Sequence, residues 1–126
     1  MYLIDTNIFL EILLAQDKRE LCKGFLTENA EHLSVSDFAL HSIGVILFRN
    51  KKDDIFHKFV LDVLPGLSIV TLRAESYGSL QGIRQKYGLD FDDSYQFAVA
   101  LEHELRIVTM DEDFKKVQGD AKINFL

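Results

Sequence analysis

Met1-Tyr2-Leu3-Ile4-Asp5-Thr6-Asn7 opens the chain. Tyr2-Leu3-Ile4 is a short apolar run of the kind that forms a buried strand. It breaks off on polar residues suited to starting a helix, with Thr6 or Asn7 as the cap. Ile8, Leu10 and Ile12 to Leu14 then continue as an apolar helix. The same alternation repeats downstream. Lys18 to Glu28 reads as a helix, with Leu21, Cys22, Phe25 and Leu26 at helical spacing. His32 to Val35 reads as a strand, and Ser36 or Asp37 caps the next helix, whose inward face is Phe38, Leu40, Ile43, Ile46 and Leu47. Asp53 or Asp54 caps a helix through Phe56, Phe59, Val60 and Val63. Pro65-Gly66 is a turn signal, and Leu67 to Leu72 is a strand. Glu75 to Lys86 is a helix closed at Gly88, which can take the left-handed cap. Asp90 to Glu104 is a helix, Arg106 to Thr109 a strand, Asp113 to Lys116 a short helix, and Lys122 to Phe125 a last edge strand. Short apolar strands alternating with helices imply an α/β fold, with a mainly parallel sheet and helices on both faces.

The 126 residues fit one domain, taken as 1–126, and nearly half are apolar, enough for a continuous core. The single proline and the scattered glycines argue against disorder. The one cysteine, Cys22, excludes an internal disulfide and a cysteine-based zinc site, and its helical setting makes it a small core residue. No basic segment precedes an apolar stretch, so no signal peptide is expected, and no apolar run reaches membrane-spanning length. A cytoplasmic, membrane-free protein is the expectation. Phe56, Phe59 and Tyr77 give the helices an apolar surface that is generous for so small a domain, which points to oligomerisation. The net charge of −6 argues against a broad nucleic-acid coat. It leaves a nuclease open, because an acidic metal site carries negative charge that the metal offsets.

The chemistry follows from the sheet. In open α/β sheets, ligands gather beyond the carboxyl ends of the strands. Asp5 follows the first strand and Asp111 follows the Arg106–Thr109 strand, so both point to one edge, and Asp92-Asp93 opens a helix that starts there. Crowded carboxylates repel unless a cation intervenes, and hard oxygen ligands suit Mg²⁺ or Mn²⁺. Each acid also has a plainer reading. Asp5 is a reasonable helix cap, Asp90 and Asp93 form a weak capping box, and Asp111-Glu112-Asp113 reads as a solvated turn.

These segments, in this order, resemble the PIN domain family. Met1 to Asn7 is similar to its first strand ending in Asp-Thr/Ser-Asn/Ser. Asp92 to Ala100 resembles its helix start, and Ile107-Val108-Thr109-Met110-Asp111-Glu112-Asp113-Phe114 its late Leu-Val-Thr-x-Asp-x-Asp-Phe segment. The resemblance covers essentially the whole chain and implies a three-layer α/β/α sandwich. It also implies a metal-dependent ribonuclease, many of whose relatives are VapC-type toxins paired with an antitoxin, and it makes a homodimer the default. By the same resemblance Asp5, Asp93 and Asp111 are the metal-binding and catalytic acids. Asp92 and Asp113 are outer ligands through water, and Asn7 and Thr109 orient the acids by hydrogen bonds.

One departure stands out. The family carries a glutamate early in the helix after its second strand. Here that stretch reads Ser36-Asp37-Phe38-Ala39-Leu40-His41-Ser42-Ile43-Gly44, and His41 falls at the expected position with Ser42 beside it. His41 is read either as a ligand or phosphate contact, or as a partly buried polar residue. The loss of a carboxylate makes a catalytically reduced RNA- or protein-binding module the rival reading. An aspartyl phosphotransfer domain is a third. Its phosphatase form wants Asp-x-Asp where this chain has Asp5-Thr6-Asn7, and its receiver form wants a late lysine where this chain has Thr109-Met110-Asp111.

Overall fold

The computed structural model describes residues 1–126. The strands are β1 (Tyr2–Ile4), β2 (Leu33–Ser36), β3 (Ser68–Val70), β4 (Arg106–Thr109) and β5 (Ile123–Phe125). The helices are α1 (Thr6–Leu13), α2 (Arg19–Glu28), α3 (Asp37–Arg49), α4 (Asp53–Asp62), α5 (Leu80–Tyr87) and α6 (Phe91–Glu102). The strands form one sheet in the order β3-β2-β1-β4-β5. Every pairing is parallel, with Tyr2 opposite Leu33 on one side and Ile4 opposite Val108 on the other.

Alternation along the central strands divides the interior in two. Leu3 and Ile107 join one core, with Tyr95, Phe97 and Val99 of α6, Leu80 of α5, and Phe114 and Val117. Their neighbours Ile4 and Val108 join the other, with Ile8 and Phe9 of α1, Cys22 of α2, Ile43 and Leu47 of α3 and Phe59 of α4. Both faces of the sheet are thus covered by helices, giving the α/β/α sandwich. Cys22 is fully buried.

Some caps and boundaries agree with the sequence reading and others differ. Asp5 caps α1, as its plainer reading had it and in place of Thr6 or Asn7, its carboxylate accepting from Thr6 N. Ser36 is the cap of α3, accepting from Ala39 N. Lys52 precedes α4 with no side-chain cap bond, so Asp53 and Asp54 lie inside the first turn, where the helix dipole favours acids. β3 is shorter than expected, because it is a sheet edge with Ser68 and Ile69 exposed. Ala74–Ser79 forms a 3-10 turn ahead of α5. Gly88 closes α5 at φ +70°, the left-handed conformation that a residue without Cβ takes freely. Phe59, expected on a surface suited to oligomerisation, is buried edge-on against Phe9 at 5.4 Å.

Candidate metal centre

The chain order sets the place of the site. From β1 the strand order moves through β2 to β3, then returns across the sheet to β4 on the other side of β1. The crevice beyond the carboxyl ends of β1 and β4 is therefore the topological switch point, where open parallel sheets bind ligands. Asp5 leaves β1 there, and Asp111 lies just past β4. A pocket of about 250 Å³ opens at this point, lined by Asp5, Asn7, Phe38, Ser42, Asp92, Asp93, Gln96 and Asp111 among others.

Asp5 is buried and fully bonded. Its Oδ1 accepts from Thr6 N at 2.9 Å and Gln96 Nε2 at 3.2 Å, and its Oδ2 from Thr109 Oγ1 at 2.8 Å and Asn7 Nδ2 at 3.2 Å. The Thr109 hydroxyl also accepts from Asp111 N at 2.9 Å and Asn7 Nδ2 at 3.3 Å. Asn7 Oδ1 in turn accepts from Met110 N at 3.2 Å. The ends of β1 and β4 are thereby tied through one carboxylate. Even so, burial outweighs these donors, and the Asp5 carboxyl is pushed above its ordinary pKa.

The other acids lack such compensation. Asp111 Oδ1 accepts from Asp113 N at 2.9 Å, which turns the chain so that both side chains stay beside α6. Asp90 caps α6, accepting from Asp93 N at 3.0 Å, and presents Asp93 at the same edge. Carboxylate oxygens of Asp93, Asp111 and Asp113 all lie within 4.8 Å of one another. Burial, then the charges of Asp111, Asp90, Asp5 and Asp113, push the Asp93 carboxyl up to about 7. Asp92 lines the pocket, and its carboxyl is raised by burial and then by the charge of Asp90. The arrangement suits a hard divalent cation: oxygen donors only, closely spaced, and repelling one another when none is bound.

Asp113, read from the sequence as an outer ligand, stands within the tight group of three at the edge of the pocket, while Asp5 lines the pocket from its hydrogen-bonded position outside that group. His41 does not reach the pocket. It is exposed and lines a separate groove with Asp37, Gly44, Phe48, Phe56 and Ile69, whereas Ser42 faces the acids. One helical step turns a side chain by about 100°, so a one-residue misalignment moves it to another surface. Gln96 is a site residue that the sequence reading does not single out. It accepts from Ser36 Oγ at 2.6 Å through Oε1 while donating to Asp5, linking the α3 cap to the acid. Its signal is a lone amide one turn beyond Asp93 in an otherwise apolar stretch of helix.

The PIN domain family model matches residues 2–120. The chain belongs to the PIN domain family. No curated protein matches its sequence. Among solved structures, VapBC2 from Rickettsia felis bound to a promoter DNA fragment aligns with a TM-score of 0.81 at 16% identity, covering 99% of this chain and 98% of that one. FitAcB from Neisseria gonorrhoeae aligns at 0.77 and 22%, covering 100% and 97%. The sarcin-ricin-loop-cleaving toxin VapC20 from Mycobacterium tuberculosis aligns at 0.79 and 14%, covering 96% of each. At these identities the likeness is one of fold, and this PIN chain shares the whole fold with toxins of toxin–antitoxin pairs.

Proposed function

We propose that this PIN domain is a metal-dependent ribonuclease that hydrolyses RNA phosphodiester bonds. The observation that carries the reading is the convergence of Asp93, Asp111 and Asp113 beside Asp5 at the switch point, where burial and then the neighbouring charges raise the Asp93 carboxyl. Asp93, Asp111 and Asp113 would hold Mg²⁺ or Mn²⁺, with Asp5 behind them and Asp92 at the rim. A bound cation would supply positive charge at the phosphate and a water activated as nucleophile. Thr109, Asn7 and Gln96 fix the orientation of Asp5 and favour its charged form through their N–H and O–H groups. Thr109 also holds Asp111 in place through its backbone amide. No side-chain nucleophile is required.

The test is cleavage of labelled RNA oligomers with Mn²⁺ and with EDTA. Asp5→Asn and Asp111→Asn are each expected to abolish Mn²⁺-dependent product; full activity in either variant would sink the assignment. Ser42 at the pocket motivates the second reading, a catalytically reduced RNA- or protein-binding module. Retained RNA binding without any metal-dependent product would favour it. The kinship with toxin structures supports an antitoxin as partner, and a homodimer working in the cytoplasm completes the proposal. Co-purification with the product of a neighbouring gene and sedimentation would test these.

A further inference from the structure

Beside the acidic pocket lies a cluster of four aromatic rings that the proposed chemistry does not use. Tyr95, buried in α6, is its centre, with Phe38 at 5.6 Å, Tyr77 at 5.9 Å and Phe91 at 6.3 Å between ring centroids. Phe91 lies within 26° of parallel to Tyr95 and meets Phe38 edge-on at 6.2 Å. The Tyr95 hydroxyl donates to Asp37 Oδ1 at 2.6 Å and accepts from Leu72 N at 3.3 Å, so the central ring is pinned at its far end. Phe38 lines the acidic pocket itself. The cluster therefore runs from the pocket wall outward, and at its outer end Phe91 is 53% exposed. Phe91 is the first residue of α6, next to the Asp92-Asp93 pair.

None of the residues lining the acidic pocket is basic. A phosphate approaches these carboxylates only by way of a cation, and no cationic side chain in the wall orients the nucleotide next to it. Asp37, Asp90 and Asp92 around the rings disfavour further phosphate contact. A nucleobase is planar and uncharged, and it is held on an aromatic face by stacking rather than by an ion pair.

We propose that Phe91, backed by Phe38 and Tyr95, is a nucleobase platform that stacks an unpaired base adjoining the phosphate held at the carboxylates. The inference rests on the ribonuclease reading and deepens it: the substrate is single-stranded RNA, because a base paired within a helix is already stacked on its neighbours. The platform sets where along the strand the phosphate lies and is tolerant of base identity, since every base has an aromatic face.

The chain contains no tryptophan, so Phe91→Trp places a single indole reporter on the platform. The probes are a mixed-sequence single-stranded RNA oligomer and the same oligomer annealed to its complement, each with Mg²⁺. The single strand is expected to quench the indole emission of Phe91→Trp, and the duplex is not. In cleavage assays Phe91→Ala is expected to raise KM roughly tenfold while kcat and Mg²⁺ affinity stay as in the parent, and Phe91→Trp to keep the parental KM. An unchanged KM in Phe91→Ala, with no quenching in Phe91→Trp, overturns the platform and leaves the ribonuclease reading standing. Quenching by the single strand in a protein that cleaves nothing upholds the platform and overturns the ribonuclease reading. A changed sedimentation coefficient for Phe91→Ala with unaltered KM assigns the ring to a protein interface and overturns the proposal.

Discussion

Asp93 is the third residue of α6, a position where the helix dipole favours a carboxylate by about 0.3–1 kcal/mol. Burial and the charges of Asp111, Asp90, Asp5 and Asp113 act the other way and win, raising its pKa from 3.8 to about 7. Below pH 3.8 the group is protonated folded or unfolded and costs nothing. Between 3.8 and 7 the unfolded chain releases the proton first, so stability falls as pH rises, and above 7 the whole penalty is present. The metal-free protein is therefore expected to lose melting temperature from about pH 4 to about 7.5. Asp93→Asn flattens that profile and melts about 3 °C or more higher at about pH 7.5, measured by circular dichroism in EDTA; an unaltered profile would refute the repulsion. Ser42 offers the complementary test. Ser42→Glu adds a carboxylate to the pocket wall and is expected to tighten Mn²⁺ binding by about tenfold or more, read by titration calorimetry; His41→Glu, one step round the helix on another groove, is expected to leave it unchanged.

Among the elements, α6 carries the most. Its first turn presents Asp92 and Asp93 to the site, and its last residue, Glu102, anchors the opposite end. An acid in the last turn opposes the helix dipole. Here it is offset by donors from the loop after β3: Arg73 N at 3.0 Å, Arg73 Nε at 3.1 Å and the Ser76 hydroxyl. The Ser76 hydrogen bond, then that from Arg73 N, lower the Glu102 carboxyl from 4.5 to about 2. A depressed carboxyl contributes stability that is present above its unfolded value and lost as pH falls through the folded one. The expected outcome is a drop in melting temperature between pH 4.5 and about 2 that Glu102→Gln lacks. Legibility also varies by element. β1, β4 and α6 are readable because strong apolar runs end on sharp polar signals, and the Gly88 cap because glycine takes a positive φ cheaply. The Ala74–Ser79 turn and the short β3 are not, because exposed edges carry weak hydrophobic patterning.

For the molecule as a whole, the carboxylates are spread over residues 5 to 113 and meet only when the sheet has formed. A cation that binds the folded chain and not the unfolded one stabilises by mass action, by ~2.7 kcal/mol at about a hundred times its Kd. Mn²⁺ is thus expected to raise the melting temperature reversibly, with EDTA restoring the lower value and Asp111→Asn abolishing the shift. No rise in the parent protein would remove the metal centre.

The order of strands and helices, the parallel sheet and the acids at its carboxyl edge are all legible in the linear pattern, because hydrophobic period and capping chemistry act over a few residues. Lateral arrangement is not. That Asp113 stands in the tight group of acids, that Gln96 bridges Ser36 and Asp5, and that Ser42 rather than His41 faces the pocket all depend on how α3, α6 and β4 sit beside one another. Those relations come from packing between segments far apart in the chain. They turn on helix rotation of about 100° per residue, an angle that periodicity constrains to a face but not to a single side chain.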